Sequence, residues 1–328
     1  PIYFGQYLHA IVLSLKRSLD LLYEFEAELD LCPLGAGSIA GTNLPIMPSS
    51  SARLLGFRGC LRSSIDAVAG REVFLRLLAE LSVVATSLSR VSADLQLWTT
   101  KEFGLFDVDD CAAGGSSMMP QKKNIYFLEH VKGKSASLIG RLAGALTAVH
   151  ATPFTNSIAV GTEAMKNVEP AIDDLIGSVT LLRIVLEHSV ANEARSRQIL
   201  ASGFTNATAL AEAFVNQGLY TFRQAHNRVG EIVRKAIESG KTSLAQAIES
   251  GMLNEDEGPV GQAFTDLVAF RPAQHGLVLS GRLLDEEFRE LRGGLREHYL
   301  CLRANRQRRR EAALTLERTA TAIAQQVL

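Results

Sequence analysis

The sequence predicts an all-α protein in which a long-helix bundle forms the central domain and a small helical C-terminal domain follows it. Apolar residues recur at steps of three and four over several long stretches, which is the period of one face of an α-helix. Aromatic residues make up only 6% of the chain, and its richness in leucine and alanine favours packed helices over sheets. Glycines and prolines separate these stretches and mark the helix ends.

The composition excludes several classes of protein. The formal net charge is −1, so we do not expect nucleic acid or a membrane surface as the main partner. Hydrophobic residues make up 47% of the chain, yet no apolar run approaches the roughly 18 residues of a membrane span. The sequence has no Cys-x-x-Cys pair and no signal-peptide pattern. We therefore predict a cytoplasmic protein whose cysteines are reduced thiols, without disulfides or a zinc site.

The first half of the chain contains two long apolar stripes. The first predicts a helix over residues 4–30, which ends before a glycine-rich loop at 33–42. The second, over residues 64–98, predicts a helix of about 35 residues and about 50 Å. Because so long a stripe exceeds the core of a small monomer, we interpret it as part of a bundle shared by several subunits. The alternative is a helix that kinks near Ser87 or Ser92 within one subunit.

Two further long helices are predicted after residue 125. One covers residues 126–150. The other runs from residue 163 to about residue 200, although Pro170 makes a start near Glu169 equally compatible with the pattern.

The pattern changes at Gly203, where the apolar stripes shorten and glycine breaks come closer together. We therefore predict a central domain at residues 1–200 and a C-terminal domain at residues 201–328. A run of arginines between residues 303 and 310 lies on a predicted terminal helix. It is interpreted as a solvated helix face, because the aromatic residues and reader motifs of a nucleic-acid-binding patch are absent.

Three aspartates, at positions 107, 109 and 110, lie in the segment after the second stripe. The ligand spacing and the closing glutamate of a calcium loop are absent there. We therefore interpret these aspartates as a solvated turn and predict no metal site.

The stretch at residues 114–124 reads Gly-Gly-Ser-Ser-Met-Met-Pro-Gln-Lys-Lys-Asn and separates two helical patterns. Its glycines allow backbone conformations that other residues avoid, and Pro120 removes a backbone donor, so the stretch is predicted to be a loop. The loop carries two hydroxyls, two ammonium groups and two side-chain amides. Such groups are suited to binding or deprotonating a molecule that bears a carboxylate.

This stretch resembles the signature loop of the fumarase/aspartase superfamily, and its Gln-Lys-Lys-Asn ending is most similar to that of argininosuccinate lyases. We term residues 114–124 the signature loop. Four other segments are also similar to argininosuccinate lyases: residues 33–42, 64–71, 203–211 and 222–226. The resemblance therefore covers about residues 1–250. The resemblance implies a homotetramer whose active sites combine residues from three subunits, and a reaction without metal or organic cofactor.

The activity that the resemblance implies is a carbon–nitrogen lyase that eliminates fumarate from an N-succinyl amino compound, either argininosuccinate or a related N-substituted aspartate. Such an elimination needs a base for a weakly acidic carbon-bound proton, donors for the dianion that forms, and an acid for the leaving amine. Ser116 matches the base of the family, and an exchange of roles with its neighbour Ser117 stays open. The alternative function is a non-catalytic structural or scaffold relative, which the presence of Ser116, Lys122 and Asn124 disfavours.

Further positions match binding residues of the family. Lys122 and Asn124 correspond to residues that hold the carboxylate of the fumarate moiety, and Met119 and Lys123 stand beside them. Glu129 corresponds to the glutamate that orients a catalytic histidine from a neighbouring subunit.

Two more residues are assigned to substrate binding by the resemblance. Arg71 corresponds to an arginine that contacts the substrate, and Asn156 to an asparagine in the segment that holds its amino-acid end. That segment otherwise departs from the family, because Thr155 and Val168 stand where argininosuccinate lyases have tyrosine and lysine, and a few residues are inserted. We therefore expect the succinyl half of the site to be intact and the arginine half to be rebuilt.

The catalytic histidine of the family has no counterpart among the seven histidines of this sequence. By the resemblance it would lie just upstream of Pro1. We therefore expect that most of an N-terminal domain is absent from this chain.

Overall fold

The computed structural model of the protein describes residues 2–115, 118–119, 123–265 and 282–327. It confirms the all-α prediction, because 72% of the residues are helical and the strands are few. Twelve α-helices are described: α1 Phe4–Leu29, α2 Pro48–Leu54, α3 Ser64–Ala69, α4 Glu72–Trp98, α5 Tyr126–Val149, α6 Val168–Glu187, α7 Glu193–Ala201, α8 Ala207–Asn216, α9 Phe222–Glu238, α10 Leu244–Glu249, α11 Gly258–Thr265 and α12 Arg282–Val327.

Short strands and turns connect these helices. The strands in the described part of the chain are β1 Leu31–Cys32, β2 Gly59–Cys60, β3 Phe106–Val108, β4 Gly114–Gly115, β5 Lys123–Asn124 and β6 Ser189–Ala191. β1 and β2 pair in parallel, whereas β4 and β5 form an antiparallel hairpin. The chain also forms 3₁₀ turns at Asp110–Ala112, Met165–Asn167 and Glu255–Glu257, and a π-helical turn at Ala159–Ala164.

The chain divides into two compact units. The small unit comprises Pro1–Leu8, Trp98–Asp107 and Val190–Leu284, and the bundle unit comprises His9–Leu97, Val108–Ser189 and Asp285–Leu328. The domains predicted from the sequence, residues 1–200 and 201–328, stay a prediction, since compactness alone does not test where an independently folding part ends.

The core of the bundle unit lies between α4, α5 and α6. Leu78, Leu81 and Ala85 of α4 pack in one cluster with Leu138 and Ala145 of α5. All five are at most 5% exposed, and burial of each leucine contributes about 2 kcal/mol. These residues recur at steps of three, four and seven, so α4 and α5 each bury one apolar face.

The helix predicted over residues 64–98 is in fact two helices, α3 and α4, so the prediction of one continuous helix is wrong. Gly70 ends α3 with an extended ψ of 120°, while its amide donates to the carbonyl of Asp66 at 2.8 Å. A Cβ at Gly70 would lie 2.6 Å from that carbonyl oxygen, so a larger residue cannot take this turn without a shift. α4 then continues through Ser87 and Ser92, the two positions considered for a kink.

The helix predicted from residue 163 to about residue 200 is also interrupted. α6 begins at Val168, close to the second of the two predicted starts, but it ends at Glu187. The carbonyl of His188 accepts a hydrogen bond of 2.9 Å from the amide of Asp109. This partner lies 79 positions earlier in the chain, so no local sequence pattern predicts the end of the helix.

The arginine run on α12 is exposed, as predicted for a solvated helix face, and two of its members also form ion pairs. Arg308 Nη2 lies 2.6 Å from a carboxylate oxygen of Asp30, and Arg309 Nη2 lies 3.3 Å from Glu26. Asp30 is only 6% exposed, so its charge requires cationic partners. Within the bundle unit, the run thus joins α12 to the C-terminal end of α1.

The small unit has its own core between α8, α9 and α10, which includes the fully buried Phe214 and Ile232. A buried ion pair lies in the same unit. Glu257 is 0% exposed and accepts hydrogen bonds from Arg228 Nε at 2.7 Å, from Arg228 Nη2 at 2.8 Å and from the Tyr220 hydroxyl at 2.9 Å. These bonds connect α9 to the turn before α11.

The four cysteines are free thiols, as predicted. Among the helices of the described residues, none combines the length and the hydropathy that a membrane span requires.

Candidate active site

The signature loop begins and ends in the hairpin of β4 and β5. Gly114 lies opposite Asn124 in this hairpin, and Lys123 forms an ion pair of 3.1 Å with Asp110, just before the hairpin. A Cβ at Gly114 would lie 2.6 Å from ring carbons of Tyr126. Glycine is therefore needed for the hairpin to approach the start of α5 so closely.

Ser116, Ser117 and Lys122 lie outside the described residues, so the roles predicted for them stay predictions. Met119 is described and is 43% exposed. The hairpin places both ends of the loop beside the first turn of α5.

A cavity of about 390 Å³ opens along the first turns of α5. It is lined by Tyr126, Glu129, His130, Gly133, Lys134, Ser137 and Asp174. Because the ring of Tyr126 also contacts the hairpin, the cavity lies next to the base of the signature loop. Its volume falls within the range of small-molecule sites.

The wall of this cavity carries charges that balance one another. The carboxylate of Asp174, on α6, lies 2.9 Å from Lys134 Nζ, 3.4 Å from Arg141 Nη2 and 3.4 Å from the Ser137 hydroxyl. Desolvation raises the pKa of the Asp174 carboxyl, but the hydrogen bond and charge of Lys134, with those of Arg141, outweigh it and leave the pKa below its ordinary value. The ionised carboxylate therefore holds Lys134 in place, about one and a half turns from Glu129 on α5.

Sequence reasoning missed Lys134, Ser137 and Asp174. A signal for the first two exists, since His130, Lys134, Ser137 and Arg141 recur at steps of four, three and four and form a polar stripe on α5. Asp174 follows Lys134 by 40 positions, and no local pattern relates the two.

Asn156 and the start of α3 both contact the glycine-rich loop 33–42. Asn156 Nδ2 donates to the hydroxyl of Ser38 at 3.3 Å, across 118 positions of sequence. The hydroxyl of Ser64, at the start of α3, donates to the carbonyl of Ile39 at 2.5 Å. The structure thus brings Asn156 to this loop, as part of the bundle unit.

Arg71 follows the break between α3 and α4. Its Nη1 donates to the carbonyl of Gly70 at 2.7 Å, and its side chain is half-buried. The bond orients the guanidinium locally, and the predicted contact with substrate stays a prediction.

The segment expected to be rebuilt has an unusual backbone. The π-helical turn at Ala159–Ala164 lies in the stretch where the insertion was inferred, and π turns accommodate extra residues within a helical path. Val168 stands where argininosuccinate lyases have a lysine, and it packs against the core of the bundle unit. Thr155, in place of the tyrosine, lies in a turn in which its amide donates to the carbonyl of Pro153 at 2.8 Å.

Two family models match the chain. A model described as lyase matches residues 1–140, which include the signature loop and Glu129. A model described as argininosuccinate lyase C-terminal matches residues 204–256.

Individual relatives agree with these models. The argininosuccinate lyase of Nitratidesulfovibrio vulgaris is 38% identical over 245 residues, which cover 74% of this chain and 52% of that protein. The chain therefore spans about half the length of this relative. A crystal structure of EDDS lyase in complex with formate has a TM-score of 0.86 and 29% identity, covering 99% of this chain and 67% of that one. An EDDS lyase variant with bound fumarate has the same score, identity and coverage.

Proposed function

Since the chain belongs to the argininosuccinate lyase-like members of the fumarase/aspartase superfamily, we propose that the full-length protein is a carbon–nitrogen lyase. It eliminates fumarate from an N-succinyl amine. The observation that carries this proposal is the junction of loop and cavity: the hairpin that bears the signature loop contacts Tyr126, which lines a cavity together with Glu129.

The reaction removes a proton from a carbon next to one carboxylate of the succinyl group and breaks the carbon–nitrogen bond on the adjacent carbon. The electron pair of the C–H bond becomes the double bond of fumarate. The nitrogen leaves with the electron pair of the C–N bond and takes a proton from a general acid. The intermediate gains a negative charge on its carboxylate, so the site must supply preorganised donors and positive charge.

In this proposal Ser116 is the base, with Ser117 as the second candidate. A serine is a weak base unless positive charge and exclusion of water stabilise its ionised form. The ammonium group of Lys122, in the same loop, supplies that charge. Lys122 and Asn124 also bind the carboxylate of the fumarate moiety. Glu129 orients a histidine of a neighbouring subunit, which protonates the leaving amine.

Four further residues complete the proposed substrate-binding set. Met119 and Lys123 flank the carboxylate of the fumarate moiety. Arg71 and Asn156 bind the remainder of the substrate, and the bond between Asn156 and Ser38 supports a position for this asparagine beside the glycine-rich loop.

The amine half of the substrate is proposed to be smaller or less polar than arginine. A site built to hydrogen-bond a polar end rewards that end, whereas a site without such groups does not. Val168 packs into the core and has no polar atom in its side chain to offer a substrate. In addition, the likeness to EDDS lyase extends over 99% of the chain. These observations make EDDS, or an N-succinyl adduct of a simple amine or diamine, a better candidate than argininosuccinate.

We expect the reverse reaction to show this preference. With fumarate and one amine at a time, adduct formation from arginine should be at least about tenfold slower than from the best simple amine or diamine, the scale of one unrewarded polar contact. Initial rates can be followed by the loss of the ultraviolet absorbance of fumarate. Release of fumarate from argininosuccinate and from EDDS provides the control in the forward direction.

A large preference for arginine would contradict the proposed amine class and leave an ordinary argininosuccinate lyase. If the folded, full-length protein neither releases nor consumes fumarate with any member of the panel, the non-catalytic scaffold function replaces the proposed lyase.

We also propose a homotetramer with shared active sites. Large apolar side chains are exposed on two helices of the bundle unit: Ile139 and Leu146 on α5, and Ile172, Ile176 and Val179 on α6. The three on α6 are spaced by four and three residues and therefore share one face. An apolar face of this kind on a long helix supports a contact with other subunits in a common bundle.

Replacing Ile176 with glutamate should therefore weaken the assembly, because a charge would be desolvated in an apolar contact. Light scattering should report a shift from tetramer towards smaller species. The matched control is Ile237→Glu on α9, since both isoleucines are 60% exposed but Ile237 lies in the small unit. A stable monomer of the unmodified protein, or a tetramer unchanged by Ile176→Glu, would contradict the proposal.

A cytoplasmic location is part of the same proposal. The four free cysteines support a reducing compartment, in which thiols persist without pairing.

A further inference from the structure

Three side chains with different ligand atoms converge just before the signature loop. The Sγ atom of Cys111 lies 3.2 Å from His188 Nδ1, and Asp109 Oδ2 lies 3.3 Å from the same nitrogen. All three ligand atoms lie within 4.8 Å of one another. We infer that Asp109, Cys111 and His188 form a binding site for a divalent transition-metal ion, and that Zn²⁺ suits this donor set best.

The geometry is that of shared ligation and not of a catalytic relay. In a nucleophile–base pair with an orienting carboxylate, the nucleophile and the carboxylate occupy opposite nitrogens of the imidazole. Here the thiol of Cys111 and the carboxylate of Asp109 both face Nδ1 of His188. Three atoms that converge on one point in this way leave room for a single ion between them.

The two distances from His188 Nδ1 agree with tetrahedral zinc. Zinc binds histidine nitrogen at about 2.0–2.1 Å, thiolate sulfur at about 2.3 Å and carboxylate oxygen at about 2.0–2.2 Å. With tetrahedral angles, two ligands of one ion are then about 3.3–3.6 Å apart. The separations of 3.2 and 3.3 Å in the structure therefore need only small side-chain adjustments to admit the ion.

The chemistry of the donors points to the same class of metal. Imidazole and thiolate are ligands of zinc and related transition metals, whereas Ca²⁺ and Mg²⁺ prefer oxygen atoms. One thiolate and one carboxylate neutralise a divalent cation, so the complex adds no net charge to the surface. Three protein ligands leave the fourth position for water or a small anion.

The backbone holds the three ligands in position. The amide of Asp109 donates to the carbonyl of His188 at 2.9 Å, and the amide of Ala112 donates to the carbonyl of Asp109 at 3.0 Å. His188 stands at the C-terminal end of α6, where its own amide bonds to Ile184 at 3.2 Å. The side chains of Asp109 and His188 are 62% and 41% exposed, so an ion can enter from solvent.

This site replaces the prediction that the chain binds no metal. Asp109 and Cys111 lie close together in sequence, but His188 follows Cys111 by 77 positions, and only folding brings it to them. A bound ion would tie the residues that lead into the signature loop to the end of α6. Metal binding at this site does not require the proposed lyase activity.

Titration of the reduced, tag-free full-length protein with Co²⁺ tests the site. One Co²⁺ per chain should bind and produce a thiolate-to-cobalt charge-transfer band, and Zn²⁺ should abolish the band by displacement. Cys111→Ser should remove the band, and His188→Gln should weaken binding at least about tenfold. Cys301→Ser is the matched control, because it also removes an exposed free thiol and should leave the band unchanged.

Alkylation measured by mass spectrometry gives a second readout on the unmodified protein. Saturating Zn²⁺ should slow the alkylation of Cys111 at least about tenfold, because the metal-bound thiolate is no longer free to react, while the rate at Cys301 stays constant. Far-ultraviolet circular dichroism verifies that the variants keep their helices. A cobalt band that persists in folded Cys111→Ser, or an unchanged rate of Cys111 alkylation in the presence of Zn²⁺, would overturn the inference.

Discussion

Ser116→Ala is expected to lower the turnover of the fumarate-releasing reaction at least about a hundredfold, the usual scale for the loss of a positioned proton-transfer group. The other groups proposed to bind the substrate, Lys122 and Asn124, remain in this variant, so KM should change much less than kcat. Steady-state rates measured by fumarate absorbance, with the best substrate of the panel, separate the two parameters.

The matched control is the neighbouring hydroxyl. Ser117→Ala should keep turnover within about threefold of the original, and neither variant should shift the thermal midpoint, because a serine in a polar loop contributes little to the core. A large loss in Ser117→Ala with normal turnover in Ser116→Ala would transfer the role of base to Ser117. If both variants keep normal turnover, neither serine is the base.

Helices with an uninterrupted local pattern could be predicted closely. The helix predicted over 4–30 is Phe4–Leu29, and the one predicted over 126–150 is Tyr126–Val149. Both predictions rest on the period of an apolar stripe, which depends only on neighbours within a few turns. Gly70 is itself a local signal for the break, but the long apolar stripe around it favoured one continuous helix. A glycine within a helical pattern can either be tolerated or end the helix.

Contacts between distant parts of the chain could not be predicted in the same way. α6 ends where the carbonyl of His188 accepts a hydrogen bond from the amide of Asp109, and Arg308 of the exposed arginine run forms an ion pair with Asp30. Burial makes the second contact important, because an ionised carboxylate in the interior requires a partner. Neither partner can be identified from spacing, since each lies far away in sequence.

The residues of the candidate site were likewise predicted only where a local sequence pattern identifies them. The signature loop and Glu129 were identified from a contiguous string and its resemblance to a family. The cavity wall was not, because Asp174 lies on α6 and meets Lys134 of α5 only after the two helices pack. A polar stripe on a helix indicates that something polar faces it, but the identity of the partner is a property of the tertiary structure.

Glu257→Gln is expected to destabilise the small unit by about 3 kcal/mol, the scale on which a buried ion pair is broken by removal of one partner. The glutamine amide would place N–H donors against the guanidinium of Arg228, which is bound from Nε and Nη2 in the original protein. Arg228 has a side chain that is only 15% exposed, so water compensates its charge poorly. Amide hydrogen exchange in α9 should accelerate about a hundredfold, since each 1.36 kcal/mol corresponds to about tenfold.

The pH dependence of this effect distinguishes loss of the charge from loss of packing. Desolvation raises the pKa of the Glu257 carboxyl, but hydrogen bonds from Arg228, the Asn254 amide and Tyr220 outweigh it and lower the pKa below its ordinary value. An unfolded glutamate takes up its proton near pH 4.3, and the folded one does so only at lower pH. The stabilisation is therefore complete above about pH 4.3 and is lost as the pH falls through the folded pKa.

The difference in stability between the original protein and Glu257→Gln should thus be constant near neutral pH and shrink in acid. Urea unfolding followed by the fluorescence of Trp98, the single tryptophan and a residue of the small unit, measures it across the pH range. Glu231→Gln is the control, because this carboxylate lies 3.9 Å from Arg228 but is 51% exposed, and exposed pairs contribute less than about 1 kcal/mol. Equal losses in the two variants, or a difference for Glu257→Gln that does not change with pH, would show that the buried charge is not what stabilises this unit.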